Sequence, residues 1–272
     1  VSALEKVVSI DPKLAEVWKC LDRVMDPELD EPITDMGFVE QVSVDNTADV
    51  TVMFRLPTYW CSPNFAFLMA QGIKREVDAL PWVNSSNVSL EDHMAAEEMN
   101  ATVNAGGSFS DAFAELSGGE DLEALQETFD RKAYQRRQEV VIKALIAEGQ
   151  SIEDILTTPL AALLEFTFDD ANDMRQTERY LDLLQSKRIA TKPDDMAFLT
   201  YEGTTIKEWG FKTYMDLLRS VRINMEFSGS LCRGLKRSRY KEADLSGDEP
   251  SLIDFITEVN NAPKHDGQLL KL

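Results

Sequence analysis

Cys61 has the widest chemical reach in this chain. It lies in the run Leu56-Pro57-Thr58-Tyr59-Trp60-Cys61-Ser62-Pro63. The pattern before it predicts a strand and the pattern after it a helix, so the thiol falls at a helix N-terminus. Free amides and the helix dipole there favour the thiolate. A thiolate is a soft ligand suited to ferrous iron, zinc or an iron-sulfur cluster. Cysteine also serves as a small buried hydrophobe, and a lone thiol leaves both readings open. Cys20 sits in the apolar pattern of the first helix and reads as core, and Cys232 reads as an incidental thiol in a basic stretch. Asp26-Pro27-Glu28 and Asp30-Glu31 put carboxylates beside a helix end, where such groups usually cap or are solvated.

Other chemistries lack their residues. There is no glycine-rich phosphate loop, no G-x-S-x-G elbow, no H-E-x-x-H and no C-x-x-C pair. The only histidines are His93 and His265, and neither has a glutamate three residues ahead of it, as paired di-iron helices would. The chain therefore reads as a protein that is not an enzyme.

The elements that must position Cys61 occupy residues 12 to 93. Pro12 after Asp11 marks a helix start, and Leu14, Val17, Trp18, Leu21 and Val24 form its apolar face. Asp26-Pro27 is expected to end it. Phe38 to Val44 and Val50 to Leu56 read as strands joined at Asp45-Asn46-Thr47. Pro63 to Leu80 reads as a second helix and Val83 to Leu90 as a third strand, while Gly37 permits a sharp entry into the first strand. The fold class expected is an α+β N-terminal domain (helix-strand-strand-helix-strand, small sheet), followed by a mainly α-helical C-terminal domain and a tail.

The domains expected are an α+β domain over 1–93, an acidic connector over 94–120, a helical domain over 121–241 and a docking tail over 242–272. Residues 91 to 130 hold eleven carboxylates and no lysine or arginine, which reads as a solvated segment with one short helix from Ser110 to Leu116. In the helical half Ser151 is a plausible N-cap with Asp154 three residues on. Asp173 to Ile189 reads as a helix, and so does Ile206 to Val221, with Trp209, Tyr214, Leu217, Leu218 and Val221 facing inward. Gly229 to Lys241 carries Arg233, Lys236, Arg237, Arg239 and Lys241 and no acid. Such a run pairs with the chain's own acidic surface or with an acidic partner.

Met25-Asp26-Pro27-Glu28, then Ile33-Thr34-Asp35-Met36-Gly37, then a hairpin, then Thr58-x-x-Cys61 before a helix resembles the metal-sulfur cluster assembly factor family (the SufT-like and PaaD-like proteins). That family's pattern is D-P-E, then [IV]-x-D-[LM]-G, then T-x-x-C-P, and the likeness covers residues 10 to 93. It implies delivery of iron or clusters to a client metalloenzyme, with Cys61 as the ligating thiol and Asp26, Glu28 and Asp35 as its metal-site companions. Any cofactor is then a transient iron or iron-sulfur cluster. Ser62 stands where the family has proline. Tyr59 and Trp60 stand where it has small residues, and this bulky pair reads as a surface knob for a protein partner. The helical extension is similar to accessory proteins of bacterial soluble di-iron, propane-type monooxygenases, which implies a multi-subunit di-iron hydroxylase as client. A stable binding subunit that has lost the metal role is the alternative.

Forty-eight acidic against 28 basic residues give a net charge of -20, which opposes nucleic-acid or anionic-membrane binding. No apolar run is long enough to span a bilayer, the first residues do not read as a signal peptide, and three cysteines favour a reducing cytoplasm. Partner contact is expected at Tyr59, Trp60, Arg233, Lys236, Arg237 and Arg239 and should weaken with salt. A homodimer is compatible with all of this.

Overall fold

The computed structural model describes residues 11–113 and 122–240. The expected tail at 242–272 lies outside them. The described chain falls into two compact units, one of the residues up to Leu122 together with those from Ser228 on, the other Glu123–Phe227. The α+β domain and the helical domain expected from the sequence are both present.

In the first unit α1 (Pro12–Leu21) starts as the sequence predicts. Asp11 accepts from the Lys13 amide at 2.9 Å, and Pro12 occupies the first helical position, where its missing N–H costs nothing. The helix buries Val17, Cys20 and Leu21. It ends at Leu21, ahead of the expected Asp26-Pro27 stop, because Met25–Asp26 (β1) pairs antiparallel with Glu31–Pro32 (β2). Residues 33–37 then turn into the main sheet, and Gly37 at φ +66° supplies the left-handed conformation that side chains resist.

That sheet holds β3 (Val39–Val44), β4 (Asp49–Arg55) and β5 (Ser85–Glu91) in the order β3-β4-β5. β3 and β4 form the expected hairpin, tied at its turn by Asp45, which accepts from the Thr47 and Asp49 amides at 2.9 and 2.8 Å. β4 and β5 are parallel, from Asp49↔Ser85 to Arg55↔Glu91. Val50, Val52 and Phe54 alternate inward with Val88 and Leu90 against Phe67, Met69, Ile73 and Val77 of α2 (Pro63–Asp78). Each such side chain contributes about 1.5–3 kcal/mol on burial.

The acidic connector expected over 94–120 is, as far as Phe113, part of this unit. It forms α3 (Ala96–Asn104) and the single turn α4 (Phe109–Ala112), which Phe113 ends as its C-cap; residues 114–116 of the expected short helix lie outside the described residues. Met99, Val103, Phe109 and Phe113 are buried, and Phe109 meets Phe67 edge-on at 5.5 Å. β5 is an edge strand, and two α3 asparagines satisfy the edge groups left open by the sheet. Asn104 accepts from the Val88 amide at 2.9 Å and donates to its carbonyl at 2.8 Å. Asn100 does the same at Leu90, at 2.8 and 3.0 Å.

The second unit contains α5 (Glu123–Ala147), α6 (Ile152–Thr157), α7 (Leu160–Glu165) and α8 (Ala171–Ser186). Ser151 and Asp154 make the predicted capping box. At its centre Gln138 donates to the Tyr180 hydroxyl at 2.8 Å and to the Leu199 carbonyl at 2.7 Å, and accepts from the Tyr214 hydroxyl at 2.5 Å. Tyr134 donates to the same carbonyl at 2.8 Å. A buried polar cluster satisfied this fully specifies one packing of the helices. A 3-10 turn, Glu208–Gly210, precedes α9 (Phe211–Arg239), whose residues from Ser228 on belong to the first unit. Trp209 and Leu217, expected inside, are 90% and 48% exposed, since Trp209 lies in the 3-10 turn before the helix and Leu217 on its outer side, while Leu218 is buried as expected. No helix among the described residues is long and apolar enough to cross a membrane.

Replacing Asn104 with leucine removes both side-chain bonds to Val88. An expected loss of about 1–3 kcal/mol follows from the unpaired backbone groups. The urea midpoint should fall at unchanged slope; an unmoved midpoint would mean that water satisfies this edge without the amide.

Candidate functional site

Parallel pairing of β4 and β5 decides where Cys61 goes. Both strands leave the sheet at the same end, β4 into the 56–62 loop and β5 into residues 92–95. The two exits are joined directly. The Met94 amide donates to the Tyr59 carbonyl at 2.9 Å, and His93 Nε2 bonds the Cys61 carbonyl at 2.8 Å. The Ala95 amide donates to His93 Nδ1 at 3.2 Å, so the proton sits on Nε2 and that nitrogen is the donor to Cys61. Burial lowers the pKa of His93 and the nearby Arg239 charge adds to this, against the opposing pull of the carbonyl bond. The ring is neutral and positions the loop.

Cys61 itself is half-buried, one residue before the Ser62 N-cap of α2, and its Sγ shares a 3.1 Å hydrogen bond with Thr58 Oγ1. The aromatic pair ahead of it projects into solvent: Tyr59 is 45% and Trp60 73% exposed, with Met94 beside them 49% exposed.

The Asp26-Pro27-Glu28 motif forms the tight turn between β1 and β2. Asp26 is buried, and its Oδ1 accepts from the Glu28 and Leu29 amides at 2.9 and 3.0 Å. Asp30 closes the turn at φ +53°, its amide donating to the Asp26 carbonyl at 2.9 Å. Burial outweighs those two amides and, with the Glu28 and Glu31 charges, pushes the Asp26 carboxyl up to about 7. Asp35 is exposed in the next turn.

α9 returns to this region. Arg233 pairs with Glu31 and reaches Met36 Sδ at 3.2 Å, and Lys236 pairs with Glu40 at 2.6 Å. Arg239 and the Tyr240 hydroxyl both bond Asp92, at 2.7 and 2.8 Å. Three of the four cations expected to face a partner, Arg233, Lys236 and Arg239, are thus engaged with carboxylates of their own unit, and the fourth, Arg237, lies on the same helix. Cys232 is half-buried on the same helix. Burial pushes its thiol up to about 12, with the negative charges of Asp26, Cys61 and Glu28 acting in the same direction. The sequence offered no signal for this, since the surroundings of residue 232 depend on where the helix that carries it is fastened.

Cys61, Asp26, Glu28 and Asp35 do not converge as a ready ligand set. Among the described residues no three His, Cys, Asp or Glu side chains cluster closely enough to hold a metal ion. What the fold offers is a half-buried thiol on a pinned loop, a buried carboxyl and an exposed aromatic pair.

Residues 14–90 match the family model described as iron-sulfur cluster assembly protein. The matched stretch runs from α1 to the end of β5. It covers the three motifs and leaves the helical unit and α9 outside. No curated protein and no solved structure matches the chain.

Asp26 has a pH signature. Its pKa is higher folded than unfolded, so between about pH 4 and 7 the native chain holds a proton that the unfolded chain has lost. Stability from this group therefore falls as pH rises through that window, by up to about 1.4 kcal/mol per pH unit, and levels off above it. Asp26→Asn keeps an acceptor for the two amides without the buried charge. It should match the parent near pH 4 and exceed it by about 1–4 kcal/mol at pH 8 in denaturant unfolding. A gap that does not change with pH would show that Asp26 titrates as an ordinary carboxylate.

Proposed function

We propose that this chain is a maturation factor that assists insertion of iron or an iron-sulfur cluster into a client metalloenzyme, without turnover of its own. The observation that carries this reading is the match of residues 14–90 to the iron-sulfur cluster assembly family, with Cys61 half-buried in the pinned loop before α2. Metal is cargo in this scheme, held briefly by the Cys61 thiolate, with the client or a second chain supplying the remaining ligands. Weak, incomplete coordination suits a carrier, since a fully closed shell would retain what it must release. The client we favour is a multi-subunit di-iron monooxygenase in the cytoplasm.

The exposed Tyr59, Trp60 and Met94 beside Cys61 favour a second reading, a stable binding subunit of the same oxygenase complex without metal delivery. Aromatic side chains held in the open at the rim of a site are efficient anchors for a protein partner.

Cys61→Ala separates the two. For delivery, client iron content and activity should drop at least several-fold while the variant still co-purifies with the client. Normal client iron with an intact complex would sink delivery. For the subunit reading, Tyr59→Ser with Trp60→Ser should release the chain from a mature, iron-loaded complex of fixed stoichiometry.

A further inference from the structure

We propose that Cys232 is the second thiol of the metal-handling site. With Cys61, it would take ferrous iron or an iron of a cluster beside Asp26, while the client or a second chain completes the coordination. This rests on the delivery reading above and gives a role to α9, which that reading leaves unassigned.

The placement follows from helix register. Gly229, Cys232, Arg233 and Lys236 stand at i, i+3, i+4 and i+7, so they share one face of α9. That face lies on β2 and the turn after it. A Cβ on Gly229 would come within 3.3 Å of Glu31 Oε1, Arg233 pairs with Glu31, and Lys236 pairs with Glu40. Glu31 is directly opposite Asp26 in the β1–β2 ladder. Cys232, between Gly229 and Arg233, is thereby set beside the turn whose carboxyl is buried. Two turns further on, Arg239 and Tyr240 hold Asp92, the neighbour of the histidine that pins the Cys61 carbonyl. One helix is therefore fastened to both walls of the site, and Cys232 is the soft ligand on its facing side.

Two thiols meet the chemistry better than one. Sulfur donors select iron of either form and iron-sulfur clusters over hard cations. Each thiol that binds releases its proton to solvent and no electron changes hands, so the step balances without an oxidant. Two donors still leave the shell open, as a carrier requires.

The test uses the full chain, reduced and under argon. A short bis-maleimide should join Cys61 to Cys232, identified by peptide mass spectrometry. Cys20, 1% exposed within α1, should stay unmodified. Separate single adducts at Cys61 and Cys232 with no joined species would overturn the proposal. Cobalt(II) titration, read by the thiolate-to-cobalt absorption, should show at least tenfold weaker binding in Cys61→Ser and Cys232→Ser alike. Cys232→Ala serves as the check on folding and should behave as Cys232→Ser does. Cobalt binding in both Cys232 variants equal to the parent would overturn the second thiol while leaving delivery by Cys61 standing. Absence of any thiolate-to-cobalt absorption in the parent chain would overturn both.

Discussion

The parallel pairing of β4 with β5 is the constraint on which the site depends. Strands that run the same way cannot be joined by a tight turn, so the chain between Arg55 and Ser85 must cross back over the sheet, and α2 is that crossing. The consequence is spatial. The start of α2 and the exit from β5 come out at one end of the sheet, and Cys61 and His93 become neighbours although more than thirty residues separate them. An antiparallel third strand would have sent His93 to the opposite end. With both exits together, two hydrogen bonds hold the 56–62 loop, which carries a half-buried thiol and an exposed aromatic pair.

The large negative charge takes on a structural meaning in this frame. Glu31, Glu40 and Asp92 come from three separate segments of the first unit, and each meets a cation supplied by one helix. Like charges on a compact surface repel, and a basic helix laid across them turns that repulsion into attachment. The basic run therefore fastens the end of α9 to the domain that carries the motifs. It also fixes the face of the helix that carries Cys232 against β2 and the turn after it.

Much of this was legible from local rules, and the failures have specific causes. Asp11-Pro12, Ser151 with Asp154 and Gly37 each solve a backbone problem inside a few residues, so sequence alone locates them. The three motifs of the first unit are local in the same sense, and they mark Cys61 and Asp26 before any contact is known. Residues 94–113 misled because charge was read over apolar spacing. Met99 and Val103 stand four apart on one face of α3, and the acids on the other face hide that stripe. The role of Asn100 and Asn104 could not be seen at all, since it exists only once β5 is known to be an edge. Trp209 lies in the 3-10 turn ahead of a helix that begins at Phe211, five residues later than expected, and Leu217 falls on the outer side of that helix beside the buried Leu218.

The sequence by itself determined the elements, the caps and turns that bound them, and the identity of the reactive candidates. Those features depend on interactions a few residues long. Only the tertiary structure decided which candidates meet. Strand direction brought His93 to the Cys61 loop, burial raised the pKa of Asp26, and ion pairs with distant carboxylates fastened the helix that carries Cys232 to the same unit. Those outcomes depend on contacts between segments far apart in the chain, where no local pattern specifies the partner.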